Sequence, residues 1–414
     1  METSCLAVLV AAGQGNRFGR PGGKALAPLA GRPLFMHALS TLWILPAIKH
    51  IAVVVREDDR RTVEEHVRRL PPSGKRGAAP DKLLVVGGGE TRQDSVRLGL
   101  EALALAGTEA GDVVLVHDAA RPLASRALFL RVAGKAATTG AAVAPAIPVV
   151  DSLRAEDPPG SGATVPAERE GLWRIQTPQG CRFGSLVQAH RSAAAQGHAA
   201  QDDLALAQAN GIEVGLVEGE ESNLKVTSPA DLRYAADVLT RGRAPRVGIG
   251  FDVHPLRAGG GVRLGGVLVP CEHELVGHSD ADALAHAVTD ALLGAAGGGD
   301  IGLRFPSSDE RWRGADSIKL LGAVWDELAA QSYLVGNIDV TVLAEAPRLS
   351  PHFGRMQDNL AAAMCCESWR VNVKATTTEH LGSIGRGEGI AAMAVALLHA
   401  PGTETRVAEA DAPS

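Results

Sequence analysis

The 414-residue sequence contains no C-x-x-C pair; its five cysteines, Cys5, Cys181, Cys271, Cys365 and Cys366, are scattered or adjacent. That spacing excludes a cysteine-based zinc ribbon and a disulfide framework and points to a reducing compartment, so any bound metal must take other ligands. Positive charge is not in excess either, with 41 Lys and Arg against 47 Asp and Glu. Without a broad positive field, nucleic acid is not an expected partner. No apolar run reaches membrane-spanning length, and the short apolar stretch Cys5 to Ala12 follows Glu2 rather than a basic segment. Neither a membrane span nor a secretory signal is expected, and a soluble cytoplasmic protein is. Also missing is a Walker-type Gly-Lys-Ser/Thr ending after a glycine-rich turn.

What is present is length for two or three domains and a change of pattern near residue 240. Before it, β-branched runs ("LAVLV", "HIAVVV", "KLLVVG", "DVVLVHD") alternate with amphipathic segments, which predicts a mostly parallel sheet covered by helices. Two loop-like insertions interrupt it, at 71–80 and 155–168. A helix opens at Ser228 as N-cap with Pro229 at its first position. Residues 241–245 read as a linker between a domain at 1–240 and another at 246–400. In the second, a strand over Val247 to His254 is followed by helices from Ser279 to about Ala295 and from Ala315 to Ala330. Two further strands and a final helix to about His399 complete a compact α+β order. The polar tail, 401–414, is expected to be disordered.

Two constellations carry chemistry. In "VLVAAGQGNRFG" a strand feeds a glycine-rich turn where backbone N–H groups approach phosphate oxygens, with Arg17 and Lys24 close behind to neutralise charge at phosphorus. "VLVHDAARP" places Asp118 and Arg121 just past a strand's carboxyl end, where open α/β sheets bind ligands and a carboxylate suits magnesium. An Asp capping a turn beside a salt-bridged Arg is the competing reading.

In the second half, Asp252 and His254 stand two apart in a strand and share a face. On the helix that follows, Asp282, His286 and Asp290 fall at spacing four. An Asp/His/His set without cysteine suits zinc with an open fourth position; the alternative is a satisfied core pair, with the acidic residues merely complementing the helix dipole. "VNVKATTTEHLGSIGRGEG" delivers Lys374, three threonines and Glu379 into a glycine-rich turn containing Arg386, a second phosphate and metal locus.

These motifs resemble two families in succession. "AAGQGNRFG", "GGKALAPL", "GGGETRQDSV", "VHDAARP", "GLWRIQTPQ", "QDDLAL" and "VEGEESNLKVTSPADL" are similar, over about residues 4–240, to 2-C-methyl-D-erythritol 4-phosphate cytidylyltransferase. The resemblance implies a Rossmann-like nucleotidyltransferase domain that transfers CMP from CTP to methylerythritol phosphate. It implies phosphate contacts from Ala11, Ala12, Gly13 and Gly15, charge stabilisation by Arg17 and Lys24, and cytosine contacts from Gly89 and Ser95. Asp118 would meet ribose and magnesium, and Arg121, Ser152, Arg169 and Lys225 would orient the acceptor. The arm before "GLW" would reach into a neighbouring subunit of a dimer.

The second-half motifs, with "GADSIKLL" and "GNIDVTVLAEAPRLSPH", resemble 2-C-methyl-D-erythritol 2,4-cyclodiphosphate synthase over about residues 246–400. That resemblance implies cyclisation of CDP-methylerythritol 2-phosphate with release of CMP, in trimers. Asp252, His254 and His286 would hold zinc and Glu379 a magnesium or manganese ion. His278 and Thr377 would stabilise the transition state. Ser279, Asp300, Ile301 and Gly302 would contact substrate. Ala344, Arg348, Leu349, Ser350, Lys374 and Ala375 would line the cytosine pocket, and Thr376, Thr378, Ser383 and Arg386 would complete the phosphate turn. Ser383 replaces the Phe usual in that family, Val10 a common Pro in the first, and Gln201 a common Thr. The expected protein is thus a bifunctional α/β enzyme, with the intervening kinase step supplied by another protein and physical association with it an open question. Two alternatives stay open: a nucleotidyltransferase with other base and acceptor choice, and a second half that only binds metal or oligomerises.

Overall fold

The structure is a computed structural model that describes residues 4–13, 24–68, 70 and 83–400. Gly15 and Arg17, the 71–80 insertion and the 401–414 tail lie outside the described residues. The chain divides into two compact units, residues 1–27 with 33–235, and residues 28–32 with 236–414.

The first unit is built on an eight-stranded sheet. Its path runs Trp173–Ile175, Ala142–Pro148, Gln179–Arg182, Val113–Asp118, Cys5–Val10, Ile48–Val55, Leu83–Gly87, and Val214–Glu218 pairs with Ala142–Pro148 off that path. The central strands are parallel, whereas Gln179–Arg182 and Trp173–Ile175 run antiparallel. Central runs such as Leu6, Ala7, Val8 and Leu9 are fully buried because helices cover both faces. The helix Arg92–Leu105 opens on a capping box in which Thr91 and Asp94 satisfy each other's backbone N–H groups. The insertion at 155–168 is not an irregular loop: Leu153–Glu156 and Thr164–Ala167 pair as an exposed antiparallel hairpin.

The second unit carries a five-stranded sheet in the order His273–Leu275, Pro245–Ala258, Gly389–His399, Leu334–Leu343, Val371–Thr376. One correction concerns its end. "GIAAMAVALLH", expected as a helix because Ala, Leu and Met favour one, is a strand lodged between Pro245–Ala258 and Leu334–Leu343. Its alternating burial matches a pleat rather than a helical stripe, so the long-range ladder overrides local propensity.

The helix Ala283–Ala296 lies directly on the strand Pro245–Ala258. A Cβ at Gly248 would come 2.1 Å from the Ala291 carbonyl oxygen, and one at Gly250 2.0 Å from that of Ala287. Only glycine allows this approach, and it brings the helix face bearing His286 down onto Asp252 and His254. The alternate residues of the strand, Val247, Ile249, Phe251 and Val253, point the other way and are 61%, 68%, 57% and 49% exposed. The helix begins at Ala283, four residues later than expected, because Asp282 caps it. The Asp282 carboxylate accepts from Ala285 N and from Gly265 N and Gly266 N across the unit, buried throughout.

Candidate functional site

In the first unit a cavity of about 440 Å³ opens at the carboxyl ends of the parallel strands. Ala11, Ala12, Gly13, Lys24, Gly89, Ser95, Asp118 and Lys225 line it, so eight of the predicted residues meet in one place. Ser95 Oγ accepts from Gly89 N at 3.2 Å and donates to the Thr91 carbonyl at 2.9 Å, which locks the turn over the helix start. Asp118 ends its strand with both carboxylate oxygens taken, one by Lys225 Nζ at 2.7 Å and the other by Arg92 Nε at 3.1 Å. Burial would raise this carboxyl, but Arg92 and Lys225 more than reverse that and hold it well below the usual carboxylate range. Each oxygen therefore already has a cationic partner within the chain.

Arg92 went unnoticed in the sequence. It also reaches Asp203 at 3.0 Å, and Asp203 accepts from buried His190 at 3.0 Å. A signal existed: Arg92 is the first residue of its helix, where the dipole disfavours a cation. Beneath Asp118, Thr177 Oγ1 accepts from Asp118 N and donates to His117 Nδ1 at 3.0 Å, while His117 Nε2 faces the Arg121 carbonyl. Burial pushes His117 down to about 4, so the ring is neutral. Arg121 points to the carbonyls of Asn223 and Ile175 and does not line the cavity. Ser152 and Arg169 are exposed on the arm, where Arg169 bonds the Val150 carbonyl, and they too lie off the cavity lining.

In the second unit Asp252, His254 and His286 converge. His286 Nδ1 lies 2.8 Å from Asp252 Oδ2, His254 Nε2 lies 2.9 Å from the same oxygen, and the two ring nitrogens are 3.1 Å apart. Tetrahedral ligands at zinc-type bond lengths stand about 3.3 Å apart, so this triangle is close to one that a cation would fill. Its rings are turned to suit: His254 Nδ1 faces the Val276 carbonyl at 3.1 Å, leaving Nε2 inward. Burial would raise Asp252, yet hydrogen bonds from His254 and His286 hold it low. Among the described residues this is the one cluster of three such donors. Asp282 and Asp290, expected on the same helix face, do not join it, because Asp282 is the cap and Asp290 accepts from Ile301 N at 2.7 Å.

The remaining predicted residues are spread around it. His278 Nε2 lies 3.2 Å from the Asp309 carbonyl, and Ser279 Oγ 3.0 Å from His286 Nε2. Asp300 caps the short helix Ile301–Arg304, which includes Gly302. Thr376, Thr377, Thr378 and Glu379 form an exposed or half-buried turn with Glu379 and His380 in the left-handed region, and Arg386 pairs with Glu388 beyond Ser383. Glu345, within the 344–350 stretch expected at the cytosine pocket, instead holds this turn: its Oε1 accepts from Thr378 N, Thr378 Oγ1 and His380 N, a contact the sequence did not show. Ala344 and Leu349 are buried in the hydrophobic core, while Arg348, Ser350 and Ala375 are exposed. Lys374 pairs with Asp339 on the open face of the sheet.

These features define a two-unit enzyme, one unit with a cavity lined by Lys24 and Lys225 and the other with an Asp/His/His set of the kind that holds a divalent cation. The family described as 2-C-methyl-D-erythritol 4-phosphate cytidylyltransferase matches residues 5–241, and the YgbB family matches residues 245–399. The bifunctional enzyme IspD/IspF of Rhodospirillum rubrum is 45% identical over 95% of this chain and 98% of its own, and that of Desulforudis audaxviator 44% identical over 95% and 96%. A solved structure, the bifunctional IspDF from Campylobacter jejuni, is 32% identical over 97% of this chain and 99% of its own, with a TM-score of 0.46. The chain belongs to the bifunctional IspD/IspF family, enzymes of isoprenoid synthesis that combine cytidylyltransferase and cyclodiphosphate synthase activities.

Proposed function

We propose that residues 1–240 transfer CMP from CTP to methylerythritol phosphate and residues 246–400 cyclise CDP-methylerythritol 2-phosphate, with 241–245 as the junction. What carries this reading is the pairing of two unlike sites in one chain: a cavity with Lys24 and Lys225 beside a buried carboxylate, and an Asp/His/His donor triad.

In the first reaction an acceptor phosphate oxygen attacks the α-phosphorus of CTP and the bond to the departing pyrophosphate breaks. Lys24 and Lys225 offset the charge that develops, Arg17 joining them by motif. Asp118 acts through position: kept ionised, it aims Lys225 Nζ at the cavity. Gly89 and Ser95 hold the base against the turn, and Arg121, Ser152 and Arg169 receive the acceptor, the last two from an arm whose exposed Val165, Leu172 and Trp173 favour contact with a second subunit. In the second reaction the 2-phosphate attacks the β-phosphorus and CMP leaves. Asp252, His254 and His286 would hold a zinc-like divalent ion, which when bound supplies Lewis-acid neutralisation of a phosphate oxygen. Glu379, exposed beside Thr377, would be one ligand of a magnesium or manganese ion shared with substrate; His278, Ser279 and Thr377 fix phosphate oxygens.

The open sheet face bearing Val247, Ile249, Phe251, Val253, Met393 and Val395 supports self-association of the second unit, in line with a trimer, while the arm supports a dimer of the first. No helix among the described residues is long and apolar enough to cross a membrane, and we place the enzyme in the cytoplasm. The test is to give the purified chain CTP, methylerythritol phosphate and magnesium, then the pathway's kinase with ATP, and identify products by mass. CDP-methylerythritol in the first tube and the cyclic diphosphate with CMP in the second are expected. Equal pyrophosphate release from other nucleoside triphosphates, or no cyclic product, overturns the reading. Co-sedimentation with the kinase tests association between the two.

A further inference from the structure

Two imidazoles and a carboxylate make a ligand set only if each ring turns a lone pair inward. For His254 this is settled by the Val276 carbonyl, which can only accept and so places the ring proton on Nδ1. His286 has no such partner. Its Nε2 lies 2.9 Å from Ser317 Oγ and 3.0 Å from Ser279 Oγ, and a hydroxyl can donate as well as accept. Were a hydroxyl to donate to Nε2, the ring proton would sit on Nδ1, facing Asp252 Oδ2 where a cation belongs.

Asp280 removes that ambiguity. Ser317 Oγ donates to Asp280 Oδ1 in a short hydrogen bond, and a carboxylate has no proton to return. With its proton committed, Ser317 has only lone pairs left for His286, so this contact is a hydrogen bond only when Nε2 carries the ring proton and Nδ1 the free pair, with Ser279 then able to donate to Ser317 Oγ. The arrangement is held from two sides. Ser317 is the first residue of the helix Ser317–Ala330, 1% exposed, with its own N–H also toward Asp280 Oδ1 at 3.3 Å. Asp280 N donates to the Ala315 carbonyl at 3.1 Å. Ser279 is not fixed in this way, since its hydroxyl is left to orient between His286 and Ser317.

We infer that Asp280 and Ser317 form a hydrogen-bond relay that sets the tautomer of His286 and thereby the affinity of the Asp252–His254–His286 triad for a divalent cation. Neither touches the cation or the substrate; both are positioning residues. The inference rests on reading the triad as a cation site.

The test uses the full chain, stripped of metal and titrated with Zn²⁺ against a chromophoric chelator, and with Co²⁺ followed by its visible spectrum. Ser317→Val and Asp280→Ala should each weaken Zn²⁺ binding by roughly 10- to 100-fold, the range for lost partners of a ligating histidine, whereas Ser317→Thr, which keeps the hydroxyl, stays within about threefold. Because both act through one proton, the Asp280→Ala/Ser317→Val double variant should be no worse than the weaker single. The melting temperature of the metal-free protein and pyrophosphate release by the first unit should stay at wild-type values in Ser317→Val. Binding unchanged in Ser317→Val, equal loss in Val and Thr, or additive losses overturn the relay. If Asp280→Ala does not fold, the Val/Thr pair decides alone. Wild-type protein that binds neither ion overturns the triad reading itself, and the relay with it.

Discussion

Asp118 and Asp252 are both carboxylates on sheet strands, one in each unit, and they are partnered in opposite ways. Asp118 meets two cations of its own chain, Arg92 and Lys225, one on each oxygen. Asp252 meets two imidazole nitrogens and no Lys or Arg among the described ion pairs. The difference separates two means of handling phosphate charge. The first unit carries its cations as side chains, with Asp118 paired to two of them; the second presents a donor set of the kind that holds a divalent cation.

The sharpest break between the two is His286→Ala. It removes one of the three proposed ligands, and CMP release by the second unit should fall on the order of 10³-fold, the several kcal/mol that a Lewis acid supplies. Pyrophosphate release by the first unit should stay near wild type, both measured on the same preparation. Loss of both activities together would contradict independent sites. The converse variant is Lys225→Met, which removes a cation from the cavity while keeping the side chain's bulk. Pyrophosphate release should drop roughly 10²- to 10³-fold, as for a lost charge-stabilising donor, with CMP release unchanged. A change of less than threefold would mean that Asp118 and Lys225 are only a structural pair.

Acid distinguishes the units next. His117 titrates at about 4 when folded, below the ordinary histidine value near 6.5. Between these values the unfolded chain binds the extra proton, so the first unit loses stability as pH falls from 6.5 to 4, by about 3 kcal/mol over the window, and is indifferent above it. Asp118 and Asp203, both held low by their cationic partners against burial, lose their contribution only below about pH 4. Urea midpoints at pH 7.5 and 4.5 should therefore differ in wild type and converge in His117→Asn; the same difference in both proteins would assign the acid sensitivity elsewhere.

The sequence made much of this legible, and unevenly. The i, i+2 rule put Asp252 and His254 on one face, and the glycines two and four residues before Asp252 explain in hindsight why a helix can deliver His286 to them. The cavity-lining residues came from local motifs at strand ends. What stayed hidden depends on distant partners: Arg92 reaching Asp203, Asp282 turning back to Gly265 and Gly266, Ser317 meeting His286. Composition misled outright at "GIAAMAVALLH", where helix-forming residues occupy a strand because two neighbours supply its hydrogen bonds. Spacing shows which residues share a face; it does not show which element that face will meet.

The smallest effect expected concerns Glu345, which also depends on a contact invisible in sequence. The turn that presents Thr377 and Glu379 places two non-glycine residues, Glu379 and His380, at φ of 52° and 62°. Side chains disfavour that region, so something must hold the turn there. Glu345 does so with one oxygen, accepting from Thr378 N at 2.9 Å, Thr378 Oγ1 at 3.1 Å and His380 N at 3.2 Å. All three partners are donors, and an amide oxygen satisfies them as well as a carboxylate does. Glu345→Gln should therefore retain CMP release within about threefold. Glu345→Ala frees the turn and should lower it on the order of tenfold, through misplacement rather than lost chemistry. The first unit has no share in this contact, so pyrophosphate release serves as the internal reference. An alanine variant as active as wild type would mean that the turn holds its shape without Glu345, and an inactive glutamine variant that the charge itself, not the geometry, is what the second site requires.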